Sequence, residues 1–437
     1  MRISMKVEWS RLAIAMVAAA VSYSFSGLTT GKALAADAGE DLKLLRQELA
    51  KQRAYVEQLE KRFEAQEAKL AAKEKVDAVE KAKAPSLEAG YDGGFYIRSK
   101  DKPFSLVVNG FGQFRYTLDK PNGAGYNQNF DVGLARLALS GNMFDPKLTY
   151  FTQLQGSTFG NNNNITMLDW WMKYSFAPEF GLQGGRFVLP YSRQFYTHPG
   201  NLLFSDLSEA DYAFNLPRSI GAHVSGKLGP VSYHAAMLNS VRALDAPGQQ
   251  NFGSNIGALG RLEFDILKPY GYYESSPKAA SEAQLSVGVA AAYNPIDGAS
   301  SFQNLKAKDS TTNVTLDLGY RWDQLSFQSA GYYRHDSFTT PGVSDGNDWG
   351  YYSQLGYYLM PGKLELAGRV SGVEFDKLNV SGVFRKTTAY TGGLNYYVYG
   401  HNLKLQADYS FLDNESFRGQ ASALDAHRFR LQAQFLF

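Results

Sequence analysis

The sequence predicts an all-β transmembrane barrel of about 16 antiparallel strands, preceded by an N-terminal α-helical coiled coil. Three observations predict this fold class. From Phe104 onward, runs of about ten residues alternate polar and apolar side chains and are separated by Gly, Pro, Asn and Asp. Residues 37–84 instead repeat an apolar side chain at every seventh position. The last residue, Phe437, is an aromatic side chain at the tip of an alternating strand, which is typical of bacterial outer-membrane barrels.

Composition narrows the class of protein further. The 44 Lys and Arg residues nearly balance the 42 Asp and Glu residues, which excludes a nucleic-acid partner. The 28 Tyr and 28 Phe residues suit the aromatic girdles of a membrane barrel, and the absence of cysteine excludes a disulfide scaffold. The sequence has no nucleophile elbow, no zinc-binding His-Glu-x-x-His motif and no phosphate-binding glycine loop. We therefore predict that the protein is not an enzyme and holds no cofactor or metal.

The N-terminus predicts export. Basic residues stand near the start, residues 12–21 are apolar (LAIAMVAAAV), and residues 33–35 (Ala-Leu-Ala) form a small-x-small cleavage site. This pattern predicts a signal peptide over residues 1–35. The alternative is an N-terminal helix of the mature protein.

Residues 37–84 predict a long helix that self-associates. Ala, Glu, Lys, Gln and Leu dominate the segment, and these are strong helix formers. The heptad residues are Leu42, Leu49, Val56, Phe63 and Leu70, with Leu45, Gln52, Leu59 and Gln66 between them. A single solvated helix packed on the barrel is the alternative to a coiled coil. Pro85 ends the helix, and residues 85–103 are the predicted linker.

Residues 104–437 are the predicted barrel. Very short joins, such as Ala177-Pro178, alternate with long polar joins at 119–129, 239–255 and 294–309, as in outer-membrane barrels. A soluble β-sandwich is the alternative, but its second apolar face would be exposed to water. The predicted strands are 104–118, 130–142, 147–156, 166–176, 179–187, 218–228, 230–240, 256–267, 283–294, 310–322, 323–335, 347–360, 361–373, 388–398, 402–412 and 424–437.

Two stretches resemble the phosphate-selective porin O/P family. The first is Asp-Trp-Trp-Met-Lys-Tyr-Ser-Phe-Ala-Pro at 169–178, continued by Gly-Arg-Phe-Val-Leu-Pro-Tyr-Ser at 185–192. The second is Pro-Arg-Ser-Ile-Gly at 217–221, followed by Ser-Gly-Lys-Leu-Gly at 225–229. The resemblance extends from about Phe104 to the C-terminus. It implies a trimeric outer-membrane channel of 16 strands.

The polar face of each predicted strand is assigned to the lumen. This face carries ten bases against six acids, an excess of four positive charges that would raise the local anion concentration. Alternatively, the bases pair with the acids and stiffen the wall, and both interpretations stay open. The predicted pore-lining bases are Arg115, Arg136, Lys173, Arg261, Arg321, Arg334, Arg369, Lys404, Arg428 and Arg430, and the acids are Asp169, Glu263, Asp265, Asp317, Glu365 and Asp408.

Residues 189–217, the longest stretch without alternation, are the predicted constriction loop. In a barrel of this size such a loop can fold inward and narrow the pore; the alternatives are an outer loop or a subunit contact. Phosphate-selective members of the family have a loop rich in bases, whereas here one base faces three acids. The predicted constriction residues are Arg193, His198, Asp206, Glu209 and Asp211.

Together these patterns predict passive diffusion of small hydrophilic solutes through the bacterial outer membrane, with a preference for anions such as phosphate. The protein is expected to be a lipid-embedded homotrimer with its helix in the periplasm. The alternative function is structural: the barrel would anchor a coiled coil that links the outer membrane to the cell wall. A helix of about 48 residues would span roughly 70 Å.

Overall fold

The computed structural model describes most of the chain in two units, residues 1–84 and 85–437. The signal peptide predicted over residues 1–35 lies outside the described residues, as do most residues of the joins predicted at 239–255 and 294–309. The described residues are 38–83, 87–101, 103–156, 165–239, 256–295, 308–338, 344–376, 384–417 and 425–437.

The first unit contains one long helix, α1 (Ala38–Lys83), so the predicted helix is confirmed. Glycine and proline are absent from it after Gly39, and its residues are mostly strong helix formers. All five heptad residues are solvent-exposed, from 39% for Leu49 to 63% for Leu70. Apolar side chains repeated every seven residues and exposed to water are typical of a helix that needs a partner. Within the described residues, no helix is both long and apolar enough to cross a membrane.

The second unit contains 18 described strands in one antiparallel sheet, and the last 16 close into a barrel. The predicted barrel of 16 antiparallel strands is therefore confirmed. The strands are β1 (Leu87–Tyr91), β2 (Phe95–Ser99), β3 (Ser105–Pro121), β4 (Asn127–Met143), β5 (Asp145–Gly156), β6 (Thr166–Ala177), β7 (Phe180–Val188), β8 (Arg218–Leu228), β9 (Val231–Leu238), β10 (Gly257–Asp265), β11 (Ala280–Pro295), β12 (Lys308–Asp323), β13 (Leu325–Phe338), β14 (Gly346–Met360), β15 (Leu364–Glu374), β16 (Lys386–Tyr397), β17 (Leu403–Glu415) and β18 (Ala426–Leu436).

The barrel closes where β18 pairs with β3, from Ala426 opposite Pro121 to Leu436 opposite Phe111. The chain end continues this ladder, because the backbone groups of Phe437 and Gly110 exchange two hydrogen bonds of 3.0 Å. The Phe437 ring lies over Gly110. A Cβ atom built on Gly110 would come within 2.2 Å of the ring. The terminal aromatic ring therefore fills the space that glycine leaves on the neighbouring strand.

The segment predicted as a linker, residues 85–103, contains regular β structure. Its residues form the β1–β2 hairpin, which turns at Gly93 with φ +63°. β3 extends past the end of β18, and β2 pairs with this extension, with Phe95 opposite Val108. An unpaired edge would leave backbone N–H and C=O groups without partners, so the hairpin completes the seam.

The two faces of the barrel wall have opposite chemistry. On β17, Lys404, Gln406 and Asp408 are buried, whereas Leu405 and Tyr409 are about half exposed. Polar side chains thus face inward and apolar side chains face outward, as expected for a wall in lipid. Exposed aromatic residues lie near both ends of the wall: Phe130, Tyr293, Trp349 and Tyr390 at one end, and Phe176, Phe180, Trp322, Tyr357, Tyr396 and Phe435 at the other.

The ends of the barrel differ in the length of their connections. At the end that holds Phe437, the joins are as short as Phe144 alone or Gln324 alone, with one exception at 266–279. At the other end, the longest described join is 189–217, which contains α2 (Arg193–Tyr196), a 3₁₀ turn (Pro199–Asn201) and α3 (Glu209–Phe214). Both exceptional segments fold into the barrel.

Replacing Gly110 by Val should destabilise the barrel, because the new side chain would displace the Phe437 ring from the seam. We expect overpacking to cost about 1–3 kcal/mol, measured as a lower midpoint of urea unfolding. The matched control is Gly368→Val on β15, where a Cβ atom meets nothing within 4 Å. Equal midpoints for the two variants would show that the terminal ring is not part of the seam.

Candidate functional site

Residues 189–217, the inward loop, are held in shape by capping side chains. The Ser192 hydroxyl accepts a hydrogen bond from the backbone N–H of Phe195 and so begins α2. The Ser208 hydroxyl accepts from the N–H of Asp211 and begins α3. Serine at these positions satisfies amide groups that a short helix leaves free. The loop therefore has a defined structure of its own.

The inward loop crosses the lumen. It leaves the wall between β7 and β8, yet it bonds with strands on the far side of the ring. Five wall side chains donate hydrogen bonds of 2.7–3.0 Å to its carbonyl or carboxylate oxygens. The donors are Tyr332 of β13, Arg369 of β15, Asn395 of β16, Lys404 of β17 and Gln434 of β18.

A buried cluster of four charges fixes the start of the loop. The Arg193 guanidinium donates to Asp317 at 2.7 Å and lies 3.1 Å from the Glu263 carboxylate. Arg261 of β10 donates to Asp317 at 2.6 Å and to the carbonyl of Tyr191 at 3.0 Å. Two positive and two negative charges balance. Removing any one of them would leave an uncompensated buried charge, which typically costs about 3–5 kcal/mol.

Residues 266–279, the inward turn, enter the lumen from the opposite end and grip the inward loop. The buried Glu274 carboxylate accepts 2.7 Å hydrogen bonds from the Gln194 side chain and from the backbone N–H of Leu203. The backbone N–H of Glu274 donates to the carbonyl of Asn201. A single side chain thus holds two separate parts of the loop.

The inward turn is itself bound to the wall. The Ser275 hydroxyl donates to Glu365 of β15 at 2.7 Å, and the Tyr397 hydroxyl donates to the same carboxylate at 2.6 Å. Arg321 of β12 donates to the carbonyls of Tyr270 and Tyr273. The loop and the turn together fill the side of the lumen that faces β10–β17.

This filling corrects part of the predicted pore lining. Four of the predicted pore-lining bases lie on the lumen face of the wall but are buried beneath the inward loop and the inward turn. They therefore do not line open space. Their side chains bond to carboxylates or to loop and turn carbonyls instead. The four are Arg261, Arg321, Arg369 and Lys404.

An open cavity of about 810 Å³ lies on the other side of the loop, against β3–β8 and β18. Five arginines and five acids line it, so the lining has no formal excess charge. The arginines are Arg115, Arg136, Arg218, Arg428 and Arg430, and the acids are Asp119, Asp131, Asp169, Asp206 and Glu209.

The predicted constriction residues fall into two groups. His198, Asp206 and Glu209 line the cavity. Arg193 and Asp211 also belong to the inward loop, but they are buried and hold it in place rather than line the cavity. Burial in the interior of the barrel explains both positions: Arg193 meets wall carboxylates, and Asp211 accepts hydrogen bonds from Ser192 and Tyr332.

Ion pairs account for most of the lining arginines. Arg218 binds Asp169 with two hydrogen bonds of 3.0 and 3.1 Å, and this arginine was absent from the predicted lining. Arg115 pairs with Asp206 at 2.9 Å. The remaining pairs are Arg428 with Asp119 and Glu209, and Arg430 with Asp408 and Asp206; outside the cavity, Arg334 pairs with Asp348.

Two predicted lumen bases are different. Within the described residues, Arg136 forms no ion pair, and its guanidinium donates only to the Gln155 side chain, at 2.7 Å. Lys173 likewise forms no ion pair in the described part of the chain and donates to Ser225 at 3.0 Å. Arg136 lines the cavity, so it supplies a positive charge that no ion pair among the described residues neutralises.

Titratable groups of the loop respond to this environment. Burial, together with the nearby Arg136 and Lys404, lowers the pKa of His198 to about 4, so its ring is neutral at ordinary pH. Burial raises the pKa of Asp211 to about 7. Burial would also raise the pKa of Asp206, but Arg115 and Arg430 outweigh it and hold that pKa below its usual range.

The fold and this off-centre cavity define an outer-membrane channel of the porin type. The family model for phosphate-selective porin O and P matches residues 108–437, and the chain belongs to that family. No match was found among curated proteins.

Solved structures of similar fold are also outer-membrane proteins. The outer-membrane channel DcaP of Acinetobacter baumannii shares 15% identity and covers 80% of this chain and 100% of its own, with a TM-score of 0.53. OmpF of Salmonella typhi, in complex with daunomycin, shares 13% identity over 80% of this chain and 100% of its own (TM-score 0.52). OmpT of Vibrio cholerae, in a trimer form, shares 11% identity over 76% and 99% (TM-score 0.50).

Replacing Glu274 by Ala should loosen the inward loop, because the buried Leu203 N–H loses its acceptor and Gln194 loses its shorter hydrogen bond. Each buried donor left without a partner costs about 1–3 kcal/mol. We expect larger single-channel conductance and more open-channel noise in planar bilayers. Glu282→Ala is the control, since among the described residues Glu282 pairs with Lys268 alone and both side chains are 64% exposed. Identical current records for the two variants would show that Glu274 does not hold the inward loop in place.

Proposed function

We propose that the protein is a passive diffusion channel for small hydrophilic solutes, which pass between the inward loop and the wall of β3–β8. The cavity of about 810 Å³, lined mainly by polar and charged side chains, supports this function above all. The opposite side of the lumen is filled by the loop and the turn. The passage is therefore off-centre, and its bore is set by how the loop is held.

A modest preference for anions is part of the proposal. Formal charges in the cavity lining cancel, and most of the arginines are engaged by carboxylates. Arg136 provides a positive charge without an ion-pair partner among the described residues. One such charge raises the local anion concentration but does not build a cage for a multiply charged ion. Phosphate would then be one of many permeating anions.

The reversal potential across a potassium chloride gradient tests this preference. We expect a chloride-to-potassium permeability ratio above one and below about five, because a single lumen charge is partly screened by salt. Arg136→Gln should bring the ratio close to one. Lys363→Gln removes a positive charge from the exposed turn between β14 and β15 and serves as the control.

Two other outcomes of the bilayer measurement would contradict parts of the proposed function. Cation selectivity in the wild-type protein would overturn the anion preference but leave the diffusion channel intact. A complete lack of conductance would overturn the channel and favour the structural alternative, in which the barrel anchors a coiled coil that reaches the cell wall.

The proposed assembly is a homotrimer with α1 as a periplasmic coiled coil, exported with residues 1–35 as a cleaved signal peptide. The exposed heptad side chains of α1 support self-association, because a helix alone leaves them in water. The trimer form of OmpT offers a precedent in a protein of similar fold.

Deleting residues 37–84 should weaken the trimer, because the heptad contacts are lost. The measurement is the temperature at which the trimer dissociates, followed by size-exclusion chromatography with light scattering. Replacing Leu49 and Val56 together by Ala should act in the same direction. Replacing Lys51 by Ala should not, since it lies outside the heptad core. A trimer of unchanged stability after the deletion would show that the barrels assemble without the helix.

A further inference from the structure

We infer that the cavity contains a binding station for small organic anions that carry one negative charge and an apolar ring. This inference rests on the proposed function and specifies its solute. The station combines Arg136 with aromatic side chains of the wall and of the inward loop.

The wall side of the station lies on three neighbouring strands. Arg136 of β4 stands opposite Gln155 of β5. Phe151 lies four residues from Gln155 on the same strand, and therefore on the same face, at a distance of about 13 Å along the backbone. Phe151 stands opposite Trp171 of β6. The cation and the two rings therefore share one face and line one cavity.

The two rings offer a flat apolar surface. The centroids of Phe151 and Trp171 are 5.5 Å apart, and the ring planes differ by 21°. Both side chains are only half buried, so each presents apolar area to a passage otherwise rich in charges and amides. A ring in a solute that stacks on them removes apolar area from water on both partners.

The loop side of the station is also aromatic and is neutral. Phe195, Tyr196 and His198 line the cavity from the loop. His198 packs edge-on against Phe111, with ring centroids 4.8 Å apart. Phe111 stands opposite Arg136 in the strand pairing, so the loop brings neutral rings next to the cation. A solute ring can thus lie between aromatic groups of the wall and of the loop.

The charge distribution selects the number of negative charges on the solute. Asp169, an acid that lines the same cavity, accepts two hydrogen bonds from Arg218. Arg136 keeps its charge, and Gln153, Gln155 and Gln183 add amide groups to the cavity. One guanidinium balances one carboxylate or sulfonate. A phosphate dianion would need further cations to replace its hydration.

Block of the potassium chloride current by four probes tests the station in the full-length protein. The probes are 3-phenylpropionate, propionate, 3-phenylpropanol and inorganic phosphate, which separate ring from charge. We expect 3-phenylpropionate to block half of the current at a concentration at least about fivefold lower than the concentration that any other probe requires. A 3-phenylpropanol block as strong as that of the acid would overturn the role of Arg136. Propionate or phosphate block as strong as that of 3-phenylpropionate would overturn the role of the rings.

Single substitutions test which side chains are responsible for the block by 3-phenylpropionate. Arg136→Gln should reduce 3-phenylpropionate block to the level of 3-phenylpropanol, and Trp171→Leu should reduce it to the level of propionate. The control is Phe176→Leu, which removes an aromatic ring from the outer face of the same strand and should leave the block unchanged. An equal loss in the control would overturn the station.

Saturation-transfer NMR on the detergent-solubilised protein separates this inference from the proposed function, because it does not require conductance. Transfer to the ring protons of 3-phenylpropionate, lost in Arg136→Gln, supports the station even if no current flows. Conductance without such transfer would keep the channel and overturn the station.

Discussion

The structure depends on the neutralised charge cluster beneath the inward loop. Arg193 brings a positive charge into the barrel interior, and Asp317 and Glu263 already share Arg261 there. The four charges sum to zero, so burial is tolerated where a single ion would be expelled. Because this cluster fixes the start of the loop, it also decides which half of the lumen is filled and which half stays open. The position of the passage is therefore an electrostatic outcome.

The wall charges serve mainly to hold the loop and the turn. Arg369 and Lys404 donate to loop carbonyls, and Arg115 meets a loop carboxylate, so these side chains act as anchors. The two interpretations of the wall left open by the sequence thus apply to different residues. Most bases pair and stiffen the interior, while Arg136 lines the cavity without an ion pair in the described part of the chain. The proposed selectivity would then rest on very few groups, because the formal charges of the cavity lining cancel.

Local patterns predicted the wall well and the interior poorly. A period of two is a property of each strand alone, so the inward placement of Lys404 and Arg430 could be read from the sequence. Whether an inward base meets water or protein depends on segments distant in the chain, and no local pattern marks Glu274 as the partner of Gln194. The signal for the inward turn was its length and its three tyrosines, at an end of the barrel where other joins are very short. The β1–β2 hairpin was missed because its role, covering the extension of β3, appears only once the seam is closed.

The long sequence separation of the loop contacts has a consequence for assembly. The loop carbonyl of Leu202 is bonded by Lys404, which follows it by 202 residues, and the carbonyl of Gly200 is bonded by Gln434, which follows it by 234 residues. These two contacts can form only after β17 and β18 have joined the wall, whereas the contacts of Arg193 and Asp211 are with the earlier strands β10, β12 and β13. The middle of the loop is therefore fastened by the end of the chain, and the strands that close the ring are also those that hold the loop at Gly200 and Leu202.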